Sequence, residues 1–141
     1  MGFAVLQQQF EWPVRVYYED TDAAGIVYHA NYLRYMERAR TEWLRLLGFN
    51  QTKLAANEGV VFVITHSDVH YQRPARFDEE LTVVNALKRL RHVSLDFDQR
   101  INDANGLEIC RAHNVVACVD SERLRPRRIP EHMMRVFQGA N

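Results

Sequence analysis

Long apolar runs are missing from this 141-residue sequence. The longest that can be buried, 60–64, falls far short of the roughly 20 residues that a membrane-spanning helix requires, so a helical span is excluded. Cysteine is scarce as well. Cys110 and Cys118 are the only two; they share one alternating apolar segment and form no CxxC pair, which predicts core thiols in a reducing compartment. Charge of either sign is not in excess. Lys and Arg number 18, as do Asp and Glu, so no global field draws the protein toward nucleic acid or anionic lipid. A charged partner must be met by a local patch. The GxSxG elbow, the Walker loop and the GxGxxG turn are also absent. The opening MGFAVLQQQF lacks a basic stretch followed by a long apolar one, and its sixth residue, Leu6, is not the Ser or Thr of a myristoylation signal beginning at Gly2. These readings predict an unexported, unlipidated, cytoplasmic protein.

What is present has the size of one ordinary domain, 1–141, with 1–11 and 131–141 as peripheral tails. Val14, Val16 and Tyr18 alternate with Arg15, Tyr17 and Glu19, the period of a strand, which should end near Glu19. The turn-rich EDTDAAGIVYHAN, containing Gly25, then leads into a helix. Along that helix Tyr32, Met36, Ala39, Trp43 and Leu46 or Leu47 recur at steps of three and four, and Gly48 can end it. Arg34, Arg38, Arg40, Glu42 and Arg45 take the other faces. About eighteen residues at 1.5 Å each give a rod of roughly 27 Å, enough to cross a sheet. A weaker helical turn follows at 52–58.

The second half reads as strands at 60–72, 81–90, 93–102 and 107–120, rich in β-branched and aromatic residues. Asn105-Gly106 signals a hairpin between the last two. A basic segment from Ser121 leads to a short helix after Pro130. One strand, a long helix and four more strands describe an α+β fold, an antiparallel sheet of about five strands wrapped around one long helix. So small a sheet has exposed edges, and pairing across a dimer is the expected remedy.

Chemistry concentrates in 18–32. An acidic DxD ahead of a helix is ordinarily a capping or turn device. Here, however, Asp20-Thr21-Asp22, Gly25, Val27-Tyr28-His29 and Tyr32 together resemble the signature of the 4-hydroxybenzoyl-CoA thioesterase family. Trp12-Pro13-Val14-Arg15-Val16-Tyr17-Tyr18 and Arg73-Pro74-Ala75-Arg76 look like the branch associated with the bacterial Tol-Pal system, and the similarity runs over about 12–130. Position 24 is Ala where near relatives often carry Gly. The resemblance implies a hotdog fold and hydrolysis of an acyl-CoA without metal or organic cofactor, coenzyme A being part of the substrate. It also implies a catalytic aspartate at Asp22 and a carbonyl-polarising backbone amide at His29, with Gly25 and Tyr28 at the substrate.

The chemistry is reasonable on its own terms. A thioester needs an attacking group and donors for the oxyanion that develops, and a helix start offers unpaired N–H groups. Asp22 can serve as general base toward water, the preferred reading, or as direct nucleophile. Asp20 either repels Asp22 or forms a local turn. The His29 side chain can shuttle a proton, or its backbone alone can matter. Glu37, eight positions on, is a second-choice carboxylate.

Coenzyme A phosphates call for cations. Lys88, Arg89 and Arg91, with His92 beside them, form either a phosphate anchor or a solvated turn, position 91 matching a family site. Arg123, Arg125, Arg127 and Arg128 read as an exposed tail or a second anchor. His66, Asp68 and His70 share a strand face, but nothing completes a metal site, and none is expected. Two rivals stand beside hydrolysis. One is a hotdog-fold dehydratase using His29 and Glu37, although Ala30-Asn31-Tyr32 lacks the proline- and glycine-rich segment of those enzymes. The other is an adaptor that binds acyl carrier protein, phospholipid-synthesis enzymes or envelope proteins. A homodimer or homotetramer is expected under the leading reading.

Overall fold

The computed structural model describes residues 3–6 and 8–139, so the Gly2 of the lipidation reading lies outside the described residues. Five strands, β1 (Phe10–Arg15), β2 (Val60–Tyr71), β3 (Glu80–Leu90), β4 (Ser94–Asn102) and β5 (Glu108–Asp120), form one antiparallel sheet in the order β1-β3-β4-β5-β2. The chain leaves the sheet at one edge after β1 and re-enters at the other as β2. Helices α1 (Asn31–Leu46) and α2 (Gln51–Glu58) fill that crossover. This is the hotdog arrangement expected from the sequence.

α1 sits on the sheet because its stripe is fully apolar on one side. Tyr32, Tyr35, Met36, Ala39 and Trp43 are each at most 3 % exposed. The stripe stops at Leu46, which is exposed, and Gly48 turns the chain at φ +96°. Against it the strands present Leu81, Val83 and Leu87, then Leu95, Phe97 and Ile101, then Ala112, Val116 and Cys118, the inward half of each alternation. Three amides share that inward phase: Asn85, Gln99 and Asn114 are completely buried among these apolar neighbours.

The structure departs from the sequence reading in four places. The first strand runs earlier than expected: Val16 still pairs with Glu79, but Asp20 Oδ2 accepts from the Tyr17 N–H at 2.8 Å and curls 18–20 into a 3-10 turn, leaving Tyr18 exposed. The ends of the domain are structural rather than peripheral. Phe10 and Glu11 lie in β1, and helix α3 (Glu131–Phe137) buries Met133, Met134 and Phe137, whose ring stacks on Trp43 at 5.4 Å. The basic segment after Ser121 folds back onto β5 through a Val119–Pro126 bridge, and Arg127 bonds the Gly59 carbonyl. Arg40, assigned to an outer helix face, is half-buried against the sheet, where Gln99 gives it an acceptor.

Candidate active site

The loop between β1 and α1 is closed by its own backbone. Thr21 bridges Val27, the Asp22 N–H donates to the Ile26 carbonyl, and the Gly25 N–H donates to the Asp22 carbonyl. Gly25 completes the turn at φ +78°, a left-handed conformation that a side chain disfavours, while the space around it is open. The far side of the loop is tied to 75–76 by the Val27 N–H to Ala75 carbonyl bond and an Ile26–Arg76 bridge. The result is a rigid, exposed hairpin carrying Asp22 beside the start of α1.

Asp20 and Asp22 both bond the local backbone, the turn role weighed for the DxD. Asp20 forms the local turn: its carboxylate holds the Tyr17 N–H, and its carbonyl accepts from the Tyr28 N–H and from Asn31 Nδ2. Asp22 is exposed, and one of its carboxylate oxygens, Oδ1, accepts from the Ala24 N–H at 2.9 Å. That bond fixes the carboxylate and leaves Oδ2 without a partner among the described residues.

α1 begins without a cap. Ala30 already has helical dihedrals and offers no side-chain acceptor, while the Asn31 N–H, first of the helix, donates to the Tyr28 carbonyl at 2.8 Å. Just ahead of it, the His29 N–H has no hydrogen-bond acceptor among the described residues. The position of residue 29 is set from β2: the Tyr71 hydroxyl donates to the His29 carbonyl at 3.0 Å, and the two rings meet edge to face. Tyr32 accepts from the Ala75 N–H through its hydroxyl, and burial raises the pKa of both tyrosines. His29, Tyr32, Tyr71 and Arg73 line an open cleft of ≈ 320 Å³ at this point. The His29 side chain is exposed and leans on the half-exposed Tyr28 ring, at 4.6 Å between centroids.

Other expected residues are not brought here within one chain. Glu37 lies two turns along α1 and lines two other clefts, without His29, so the histidine and carboxylate of a dehydratase are not gathered in a shared cleft. Lys88, Arg89 and Arg91 lie at the opposite end of β3 from the loop, roughly 30 Å away at the rise of a strand. There Arg91 Nη1 pairs with the buried Asp96 carboxylate at 3.0 Å, which His113 also approaches at 3.2 Å. His66 packs on His113, and Asp68 meets His70 at 3.6 Å. Among the described residues no three metal-ligating side chains converge. Cys110 and Cys118 are free and buried, and burial pushes their thiols up to about 12 and about 11.

Tyr71 was not singled out from the sequence, because a tyrosine ending a strand carries no spacing signal; its bond to residue 29 follows only from where β2 ends. Arg73 was read only as part of the Arg73-Pro74-Ala75-Arg76 motif, and the structure places it on the wall of the cleft. Gln99 and Asn114 did leave a trace: both stand in the apolar phase of otherwise regular alternations.

A five-stranded antiparallel sheet wrapped on one long helix is the architecture of a hotdog domain. The chain belongs to the thioesterase-like superfamily, whose model matches residues 16–137. It is 46% identical over 129 residues to the acyl-CoA thioester hydrolase YbgC of Escherichia coli O6:H1, covering 92% of this chain and 96% of that one. The acyl-CoA thioesterase YbgC of Haemophilus influenzae is 40% identical over 133 residues, 94% of this chain and 97% of that one. The crystal structure of a probable thioesterase from Bartonella henselae matches with a TM-score of 0.83 at 37% identity, covering 87% of this chain and 100% of that one. The adaptor reading draws no support from these relatives.

Proposed function

We infer that the chain is an acyl-CoA thioesterase that cleaves its substrate to free acid and coenzyme A at the junction of the Asp22 loop and α1. The observation that supports this reading is that one closed loop carries both a carboxylate having one fixed and one free oxygen, at Asp22, and an unsatisfied N–H at His29. The thioester carbonyl oxygen accepts from the His29 N–H. Asp22 Oδ2 takes a proton from water as the water oxygen bonds to the carbonyl carbon. The tetrahedral oxyanion is held by the helix start, one such donor being worth about 3 kcal/mol of barrier. As the oxyanion re-forms the carbonyl, the C–S bond breaks and the thiolate takes up a proton. Water is the only co-reactant, and coenzyme A is substrate rather than cofactor.

Tyr28 and Gly25 border the approach to the carbonyl in this scheme. Lys88, Arg89 and Arg91 meet coenzyme A phosphates only when supplied by a second chain, which fits a homodimer or homotetramer joined through the free edge of β2. The test is thiol release from short-chain, long-chain and aromatic acyl-CoAs by purified protein. Asp22→Asn should lower turnover at least about a hundredfold while far-UV and thermal profiles hold. Equal turnover in that variant removes Asp22 from the mechanism.

A further inference from the structure

α1 carries four arginines, and Arg40 is the one drawn beneath the helix. Its Nη1 donates to Gln99 Oε1 at 3.0 Å, and the same oxygen accepts from Asn114 Nδ2 at 2.8 Å. Gln99 Nε2 is spent on the Met36 carbonyl at 2.9 Å, and Asn114 Oδ1 accepts from the Ser67 hydroxyl at 2.7 Å. The direction of every bond in this chain from β2 to α1 is therefore fixed, and Gln99 Oε1 is saturated. A guanidinium has five N–H donors. Among the described residues Gln99 is the one hydrogen-bond acceptor that Arg40 reaches, and no carboxylate pairs with it. Glu37, one turn back, raises its pKa only in part against the lowering by burial.

Arg40 borders two adjoining cavities. The wider, ≈ 390 Å³, runs from Leu33 on the first turn of α1 past Arg34 and Glu37 to Ser67 and Asn114. The narrower, ≈ 90 Å³, is walled by Leu44, Phe62, Leu95 and Phe97. Glu37, Arg40 and Ile64 belong to both walls and so mark the boundary between them. A hydrocarbon chain reaching that boundary strips water from donors it cannot replace. An oxygen arriving there is met by a charged donor, an interaction worth about tenfold or more in affinity.

We propose that Arg40 is a specificity-determining residue, and that the preferred acyl groups carry an acceptor oxygen, as hydroxyl or carboxylate, at the end remote from the thioester. This rests on the thioesterase reading and adds the substrate class. The two oxygen sources share one chemistry. Next to Glu37 a hydroxyl can also donate, while Arg34 adds positive charge that suits a carboxylate.

The test compares kcat/KM for acyl-CoAs of equal length that are unsubstituted, terminally hydroxylated or terminally carboxylated, in the native protein, Arg40→Met and Arg40→Lys. The native protein should favour at least one oxygenated member by about tenfold or more. Arg40→Met should erase that ratio and Arg40→Lys should keep part of it. A native preference for the unsubstituted member, or a ratio indifferent to Arg40→Met, overturns the proposal. So does a variant that changes only the oligomeric state, because the cleft then belongs to a second copy. Calorimetric titration with the corresponding free acids reads the same discrimination without turnover. It therefore judges Arg40 even if no thioester is cleaved, an outcome that would sink the catalytic reading alone.

Discussion

The two principal helices start in opposite ways. α2 is sealed: Asn50 lies in an extended conformation, its side chain accepts from the Lys53 N–H at 3.0 Å, and Gly59 closes the far end at φ +67°. α1 is longer and better buried, yet Ala30 gives its first turn no cap. The short helix needs local devices because it packs little; only Leu54 of its residues is buried. The long helix is held by its apolar stripe and by Tyr71 and Tyr32, so its start can do without a side-chain cap.

The contrast can be broken by substitution. Asp22→Asn is expected to have the largest effect, the hundredfold loss of turnover given above, with a thermal midpoint close to the native one. Tyr71→Phe removes the donor that sets residue 29 and should lower kcat about tenfold, the loss expected for roughly 1.4 kcal/mol of misplaced stabilisation, with KM little changed. A fall in KM-limited rate alone would show that Tyr71 binds substrate instead. Asn50→Ala should do the reverse, costing about 1 kcal/mol in denaturant unfolding without touching kcat. If it slowed turnover, the two helix starts would not be independent.

The smallest effect is in pH. Both cysteine pKa values are raised by burial above the 9.0 of an ordinary thiol, to about 12 and about 11. The folded state therefore keeps protons that the unfolded chain releases. The stability this gives is complete below pH 9 and is lost as pH climbs toward 11 and 12. Denaturant midpoints across that window should fall less when Cys110 and Cys118 are both replaced by Ala. Below pH 9 native thiols should resist alkylation.

Legibility followed the range of the interactions. The α1 stripe and the alternation in β4 and β5 were readable because helix and strand periods are local. The Tyr18 error arose because a side-chain bond from Asp20 overrode a strand pattern that the sequence continued. The carboxylate loop was visible through its resemblance to a family signature; from residues alone DTD is a turn, and Asp20 does form one. Arg40 was misplaced because its partner, Gln99, is 59 positions away, beyond any local pattern. The buried amides showed in the alternation, and asking what they bond would have located Arg40. Neither atom of the Asn85 amide has a partner among the described residues.

The lone-sided pairing of β2 has one further outcome. This strand of 12 residues bonds β5 along one side and ends the sheet on the other. Its backbone amides fall into two interleaved sets, one facing β5 and the other facing outward. In heavy water the inward set should retain its protons long after the outward set has lost them. A neighbouring copy laid along that border slows the outward set alone, so the difference between the two sets, followed through dilution, measures self-association from within a single strand.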